Sequence, residues 1–190
     1  MLGDSLTQGY GLPPDQGLVP QLQGWLAAQG TPAMLVNAGV SGDTSAGGLS
    51  RLDWSLGPDT DALVVILGGN DMLRGIDPAT TRANLDAILT GAGAKGLPVL
   101  LVAMRAPGNF GADYKAQFDA IYPELAAAHG ALLADNFFTP LGGGEDAAAA
   151  QPLMQADGIH PNPEGVAKVV DWLGPQVQTL LDRTQTGKTP

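Results

Sequence analysis

The sequence has no cysteine, which removes disulfides, thiol nucleophiles and zinc–thiolate centres from consideration. Basic residues are scarce. Nine Lys and Arg stand against 19 Asp and Glu, a net charge of −10 at pH 7. Such a chain is repelled by phosphate backbones and anionic headgroups, so nucleic acid is not an expected partner. No apolar run approaches the ~18 residues of a membrane span, and stable membrane insertion is not expected. Histidine is rare, with His129 and His160 alone. Three common signatures are missing as well: the G-x-S-x-G elbow, the Walker phosphate loop, and G-x-G-x-x-G after a strand. Their absence argues against the common α/β-hydrolase arrangement and against nucleotide sites of those two kinds.

What is present reads as one domain. The chain has 190 residues, a hydrophobic fraction of 44%, 27 Gly and 15 Pro, enough apolar material for a sizeable core threaded with loops. Short, nearly continuous apolar runs at 33–36, 62–67 and 98–103, with a weaker one at 131–134, predict strands buried on both faces. Helical periods lie between them. One carries Leu18, Leu22, Trp25 and Leu26. A second opens at Asp77-Pro78 and stops near Gly96. A third carries Tyr114, Phe118, Ile121, Tyr122 and Leu125 and ends near Gly130. The last opens at Asn162-Pro163-Glu164, with Pro175 as a predicted kink. Alternating strands and helices predict a parallel sheet covered on both faces, with ligands outside the carboxyl ends of the strands. The predicted domain covers residues 1–183, and 184–190 read as a flexible tail. Met1 is followed at once by Leu2-Gly3-Asp4-Ser5, so no leader peptide is expected in this sequence.

The candidate chemistry lies in five loops: Gly3–Leu6, Asn37–Ser45, Gly68–Asp71, Arg105–Phe110 and Asp157–Pro161. Each combines Gly with small polar residues, so that backbone N–H groups can approach a ligand. A serine nucleophile needs a base, usually His. His129 sits at a helix end, where the dipole favours it without any function. His160 follows Asp157 at a spacing that lets the carboxylate hold one ring nitrogen while the other faces outward. Ser5 lies in the first of these loops. An oxyanion needs donors, and the Ser5 N–H, the Gly42 N–H and the Asn70 amide are available, although ordinary turn chemistry also explains Gly42 and Asn70. Asp4, Asp43, Asp71 and Asp157 raise the alternative of a hard-cation site. With Ser5 and His160 present, no metal is expected. Asp4 and Asp43 are expected to bond local backbone N–H groups, and Asp71 to brace the Asn70 loop.

These loops resemble those of the SGNH, or GDSL, hydrolases, and most closely the bacterial thioesterase I, arylesterase and lysophospholipase branch. Four blocks occur in the family's order: GDSLTQGYG at 3–11, VNAGVSGDTSAGGLSRL at 36–52, VVILGGNDMLRG at 64–75 and MQADGIHPNPEG at 154–165. The resemblance implies a three-layer α/β/α, flavodoxin-like fold and no cofactor. It implies Ser5 as nucleophile, Asp157 and His160 as its triad partners, and Ser5, Gly42 and Asn70 as oxyanion donors. It also implies export to the periplasm or beyond. One departure stands out. Only Met1 and Leu2 precede the GDSL block, so the first strand reads as truncated relative to the family, and it would leave a gap in mid-sheet unless another segment compensates.

The activity expected from the resemblance is hydrolysis of small-molecule esters through an acyl-serine, with thioesters and lysophospholipids as related substrates. Met72, Leu73, Ile76, Ala106, Pro107 and Phe110 are candidate walls of an acyl groove, although packing explains them equally well. Small Ala106 points to short or medium acyl chains or aryl esters. Arg74 and Arg105 read as members of ion pairs. Two alternatives use the same residues differently. A carbohydrate O-deacetylase would share the triad, although aromatics make up only 5% of the chain and few fall near the site loops. A noncatalytic flavodoxin-like binding module would have no need of Ser5, Asn70 and His160 together.

Overall fold

A computed structural model describes residues 1–142 and 150–186. Five parallel strands form one sheet in the order β2-β1-β3-β4-β5. They are β1 (Leu2–Gly3), β2 (Ala38–Gly39), β3 (Leu63–Ile66), β4 (Val99–Ala103) and β5 (Leu132–Asn136). Every residue of β3 and β4 is buried, as continuous Leu, Val and Ile runs require in a sheet covered on both sides. The helices are α1 (Ser5–Gln8), α2 (Leu18–Ala28), α3 (Ser45–Ser50), α4 (Leu52–Ser55), α5 (Gly69–Leu73), α6 (Pro78–Ala94), α7 (Ala112–His129) and α8 (Pro163–Thr186). α2 packs on α8, and α3 and α7 pack on α6. The result is the expected three-layer α/β/α arrangement.

Helix boundaries follow their sequence signals. The Asp77 carboxylate accepts from Ala79 N at 2.8 Å and Pro78 occupies the first turn of α6, which satisfies one of the orphan donors there. α7 stops at Gly130 in a left-handed cap. Val166, Val169, Val170, Leu173, Val177 and Leu180 form the buried stripe of α8. That apolar face carries the helix past Pro175, where a kink was predicted, and α7 likewise continues past Pro123. α8 reaches Thr186, three residues into the segment predicted as a tail. Residues 187–190 lie outside the described ones.

Two sequence expectations change around β1. The run 33–36 is not a strand, and Met34 and Val36 are exposed. The register pairs Leu2 with Ala38, so positions opposite 33–36 would precede Met1, and no ladder forms there. The expected mid-sheet gap does not open over residues 1–3. Leu2 and Gly3 pair with β2 on one side and β3 on the other. The Met1 ammonium donates to Val36 O at 2.8 Å, and Met1 O accepts from Ala38 N at 2.9 Å. Leu63, two positions before the first β3 residue of that ladder, donates to Pro98 O on its β4 side.

The chain reverses its direction of sheet growth at β1. β2 is laid on one side of it and β3 on the other, which opens a crevice above their carboxyl ends. α1 closes tightly over that end. A Cβ at Gly39 would lie 2.3 Å from Gln8 N, so only glycine lets β2 pass under α1.

Candidate active site

Ser5 emerges from this crevice. β1 ends at Gly3, Asp4 caps α1 by accepting from Leu6 N at 3.0 Å, and Ser5 is the first helical residue. Its N–H is therefore one of the donors that a helix start leaves without an intrahelical partner. The side chain is nearly buried, at 8% exposure.

His160 reaches Ser5 from the far end of the chain. Its Nε2 lies 2.8 Å from Ser5 Oγ, and its Nδ1 lies 2.7 Å from Asp157 Oδ2. The other carboxylate oxygen of Asp157 accepts from Ile159 N at 2.9 Å and His160 N at 3.0 Å. The hydrogen bond from the His160 ring, followed by those two peptide N–H groups, brings the Asp157 carboxyl down to about 2. At neutral pH the carboxylate can only accept, so Nδ1 must carry the ring proton of neutral His160. That leaves the Nε2 lone pair to accept from the Ser5 hydroxyl. Among the neutral tautomers this is the one that satisfies both contacts, and it is the one a general base needs.

The segment carrying His160 is held as a narrow loop. Met154 bridges Pro161, and Gln155 N donates to His160 O at 2.8 Å. Asn162 closes its base, donating to Pro152 O at 2.8 Å and accepting from Gly165 N at 3.0 Å. The Gln155 amide then donates to Tyr10 O at 2.9 Å and Pro161 O at 3.0 Å. It ties the His160 loop to the loop after α1 across 145 positions. The sequence reading missed Gln155 and Tyr10.

The proposed oxyanion donors come from the other two crevice loops. Gly42 has φ +82°, a backbone region that favours glycine. Its carbonyl accepts from Arg74 Nη2 at 2.7 Å, and its N–H has no partner among the described residues. The Asn70 amide donates to Asp43 O at 3.0 Å and Asp4 Oδ2 at 3.2 Å. Fully buried Asp71 accepts from Ser45 N at 2.7 Å, Ser45 Oγ and Thr81 Oγ1 at 3.2 Å, bracing the Asn70 loop against α3 and α6 as expected. Asp43 departs from expectation. It pairs with Arg51 Nε at 2.7 Å because Arg51 is placed to gather this corner. The same guanidinium donates to Gly3 O at 2.9 Å and Ala38 O at 2.8 Å, fastening β1, β2 and the Gly42 loop together. Arg74, expected in an ion pair, bonds the Gly42 carbonyl instead. Arg105 does pair with Asp135 at 2.8 Å. His129 meets Asp86 at 2.7 Å across α6 and α7, away from the crevice.

Asp4 is 2% exposed. Burial outweighs its hydrogen bonds and pushes its carboxyl up to about 6. The folded protein therefore holds a proton that the unfolded chain releases near 3.8, and stability falls as pH rises between those values. The expected loss is about 3 kcal/mol from pH 3.5 to pH 6.5. Asp4→Asn keeps an acceptor for Leu6 N and cannot ionise. Denaturation of the variant and the parent across that range should show the slope reduced by this amount in the variant.

An open groove runs from these groups. Met72, Leu73, Ala106 and Pro107 line it together with Ser5, Gly42, Asn70 and His160. Ile76 and Phe110 do not. Phe110 stacks on Tyr114 at 5.3 Å, and Tyr114 Oη donates to Ile76 O at 3.0 Å, so Tyr114 of α7 holds the Phe110 ring and the Ile76 carbonyl. Met104, Phe138, Leu141 and Ile159 also line the groove. Phe138 and Leu141 follow β5, whose half-exposed edge strand left only a weak apolar run to read. The Ala106 peptide is pinned at both ends, its N–H to Asp119 at 2.8 Å and its carbonyl to Lys115 Nζ at 2.6 Å.

The chain is similar to proteins already known. Residues 1–168 match the GDSL-like lipase/acylhydrolase family. Esterase TesA of Pseudomonas aeruginosa is 41% identical over 182 residues, covering 95% of this chain and 88% of the relative. Thioesterase 1/protease 1/lysophospholipase L1 of Escherichia coli is 36% identical, covering 96% and 84%. The psychrotrophic esterase EstA from Pseudoalteromonas sp., solved with monoethylphosphonate as inhibitor, superposes with a TM-score of 0.85. It is 31% identical and covers 95% and 96%.

Proposed function

Because the chain belongs to the GDSL-like lipase/acylhydrolase family and is a carboxylic ester hydrolase, we propose that Ser5 is its nucleophile, His160 the general base and Asp157 the group orienting that base. The observation that carries this reading is the continuous relay from Asp157 Oδ2 through His160 to Ser5 Oγ, with contacts of 2.7 and 2.8 Å. The described residues act as one domain in it, since the relay joins segments 155 positions apart.

Ser5 Oγ attacks the acyl carbonyl carbon as its proton passes to His160 Nε2. The new C–O bond leaves negative charge on the carbonyl oxygen, where the N–H groups of Ser5 and Gly42 and the Asn70 amide donate to it. Collapse breaks the bond to the alcohol, which leaves with the proton from His160. Water then attacks the acyl-serine with His160 again as base, releasing the acid and restoring the Ser5 hydroxyl. Asp157 holds the ring and stabilises the imidazolium formed in each half.

A fluorophosphonate probe should label the parent protein, and peptide mapping should place the adduct on Ser5. Labelling elsewhere, or none, contradicts the assignment. The substrate range we infer is short-to-medium acyl or aryl esters, because the Ala106 wall is small and pinned to α7. On p-nitrophenyl esters from acetate to palmitate, kcat/KM should peak at or below octanoate. A maximum at palmitate overturns the chain-length reading alone.

A further inference from the structure

We propose that Tyr10 is a charge-supporting residue of the reaction, its ring face stabilising the imidazolium that His160 becomes. This rests on the reading of Ser5, His160 and Asp157 given above. The Tyr10 ring centroid lies 4.7 Å from that of His160, with the planes inclined by 38°. A cation within about 6 Å of an aromatic face is attracted by its quadrupole.

The backbone places Tyr10 for this role twice over. Its N–H donates to Ser5 O at 3.1 Å, and its carbonyl accepts from the Gln155 amide at 2.9 Å. The first contact fixes it to the nucleophile's helix and the second to the loop of the base. Tyr10 is 49% exposed as a residue, while the His160 side chain is 15% exposed. Tyr10 thus spends an exposed aromatic ring on one face of the histidine.

The anionic partner leaves room for such help. The Asp157 side chain is 36% exposed, so water screens part of its attraction for the imidazolium. The Tyr10 ring, 4.7 Å from the imidazole centroid to centroid, lies within the range of a cation–π attraction. The support exists only once the ring is charged, so it acts on the barrier and not on substrate binding.

The test is a series at position 10 on the full chain, with p-nitrophenyl butyrate as substrate. Tyr10→Phe and Tyr10→Trp should keep kcat within about twofold of the parent. Tyr10→Leu should lower kcat by about tenfold and leave KM within twofold. Phenylalanines bearing one, two and five fluorines at position 10 keep the shape while draining the ring face, so kcat should fall stepwise along that series. A flat fluorine series, or a Leu variant equal to Phe, overturns the proposal, as does a loss confined to KM. The fluorine series settles the matter even if the Leu variant misfolds. Ser5→Ala in the same assay separates the two levels. An active Ser5→Ala protein removes the underlying reading, whereas an inactive one beside a flat series removes only the role of Tyr10.

Discussion

Ser5→Ala is expected to lower kcat on p-nitrophenyl butyrate by at least about 10⁴-fold with the fold intact. The side-chain oxygen contacts His160 Nε2, and the cap of α1 runs from Asp4 to Leu6 N, not through Ser5. Alanine is also the better helix former. The stability of the variant should stay within about 1 kcal/mol of the parent, so circular dichroism and the thermal midpoint serve as controls. His160→Ala should cost a similar factor. The double variant should lose little more, because groups that act as a unit are not additive. Residual turnover reflects the oxyanion donors and substrate positioning. Activity above about 1% of the parent in a clean preparation, or additive losses, would remove Ser5 and His160 from the chemistry.

Asn70→Ala is expected to lower kcat by about 10²–10³-fold and leave KM nearly unchanged, because an oxyanion donor earns its effect only as charge develops. The resting amide already points into the crevice, with Asp43 O and Asp4 Oδ2 as its acceptors. Those contacts preorganise it, and the oxyanion competes with them for its hydrogens. The variant also deprives buried Asp4 of a donor, so stability should be measured beside kinetics. A KM increase with unchanged kcat would make Asn70 a ground-state binding group instead. A loss below about fivefold in both would exclude it from the oxyanion site.

The residues proposed to carry the chemistry were legible because they cluster where glycine and small polar residues follow apolar runs. Ser5, Gly42, Asn70, Asp157 and His160 all sit in such loops, and four family blocks supplied their grouping. The residues that hold the loops together were not legible. Arg51 reaches Gly3 and Ala38 through a guanidinium whose targets are carbonyls, and any sequence offers carbonyls everywhere. Gln155 and Tyr10 meet across the whole chain, with nothing local to pair them. Phe138 and Leu141 were missed with the end of β5, because an edge strand buries only alternate residues and leaves a faint pattern. The run 33–36 failed for the opposite reason. Its apolar composition was strand-like, but strand formation depends on a neighbour in register, which composition does not report.

The relay also has a temporal side. Ser5 and His160 stand 155 positions apart. During synthesis the hydroxyl leaves the ribosome long before its base exists. Until the closing loop of residues 154–161 docks, the serine is an ordinary weak alcohol that nearby acyl groups cannot trap. Onset of hydrolysis in a timed translation reaction would therefore mark the docking of that loop, which makes the activity its own reporter of chain closure.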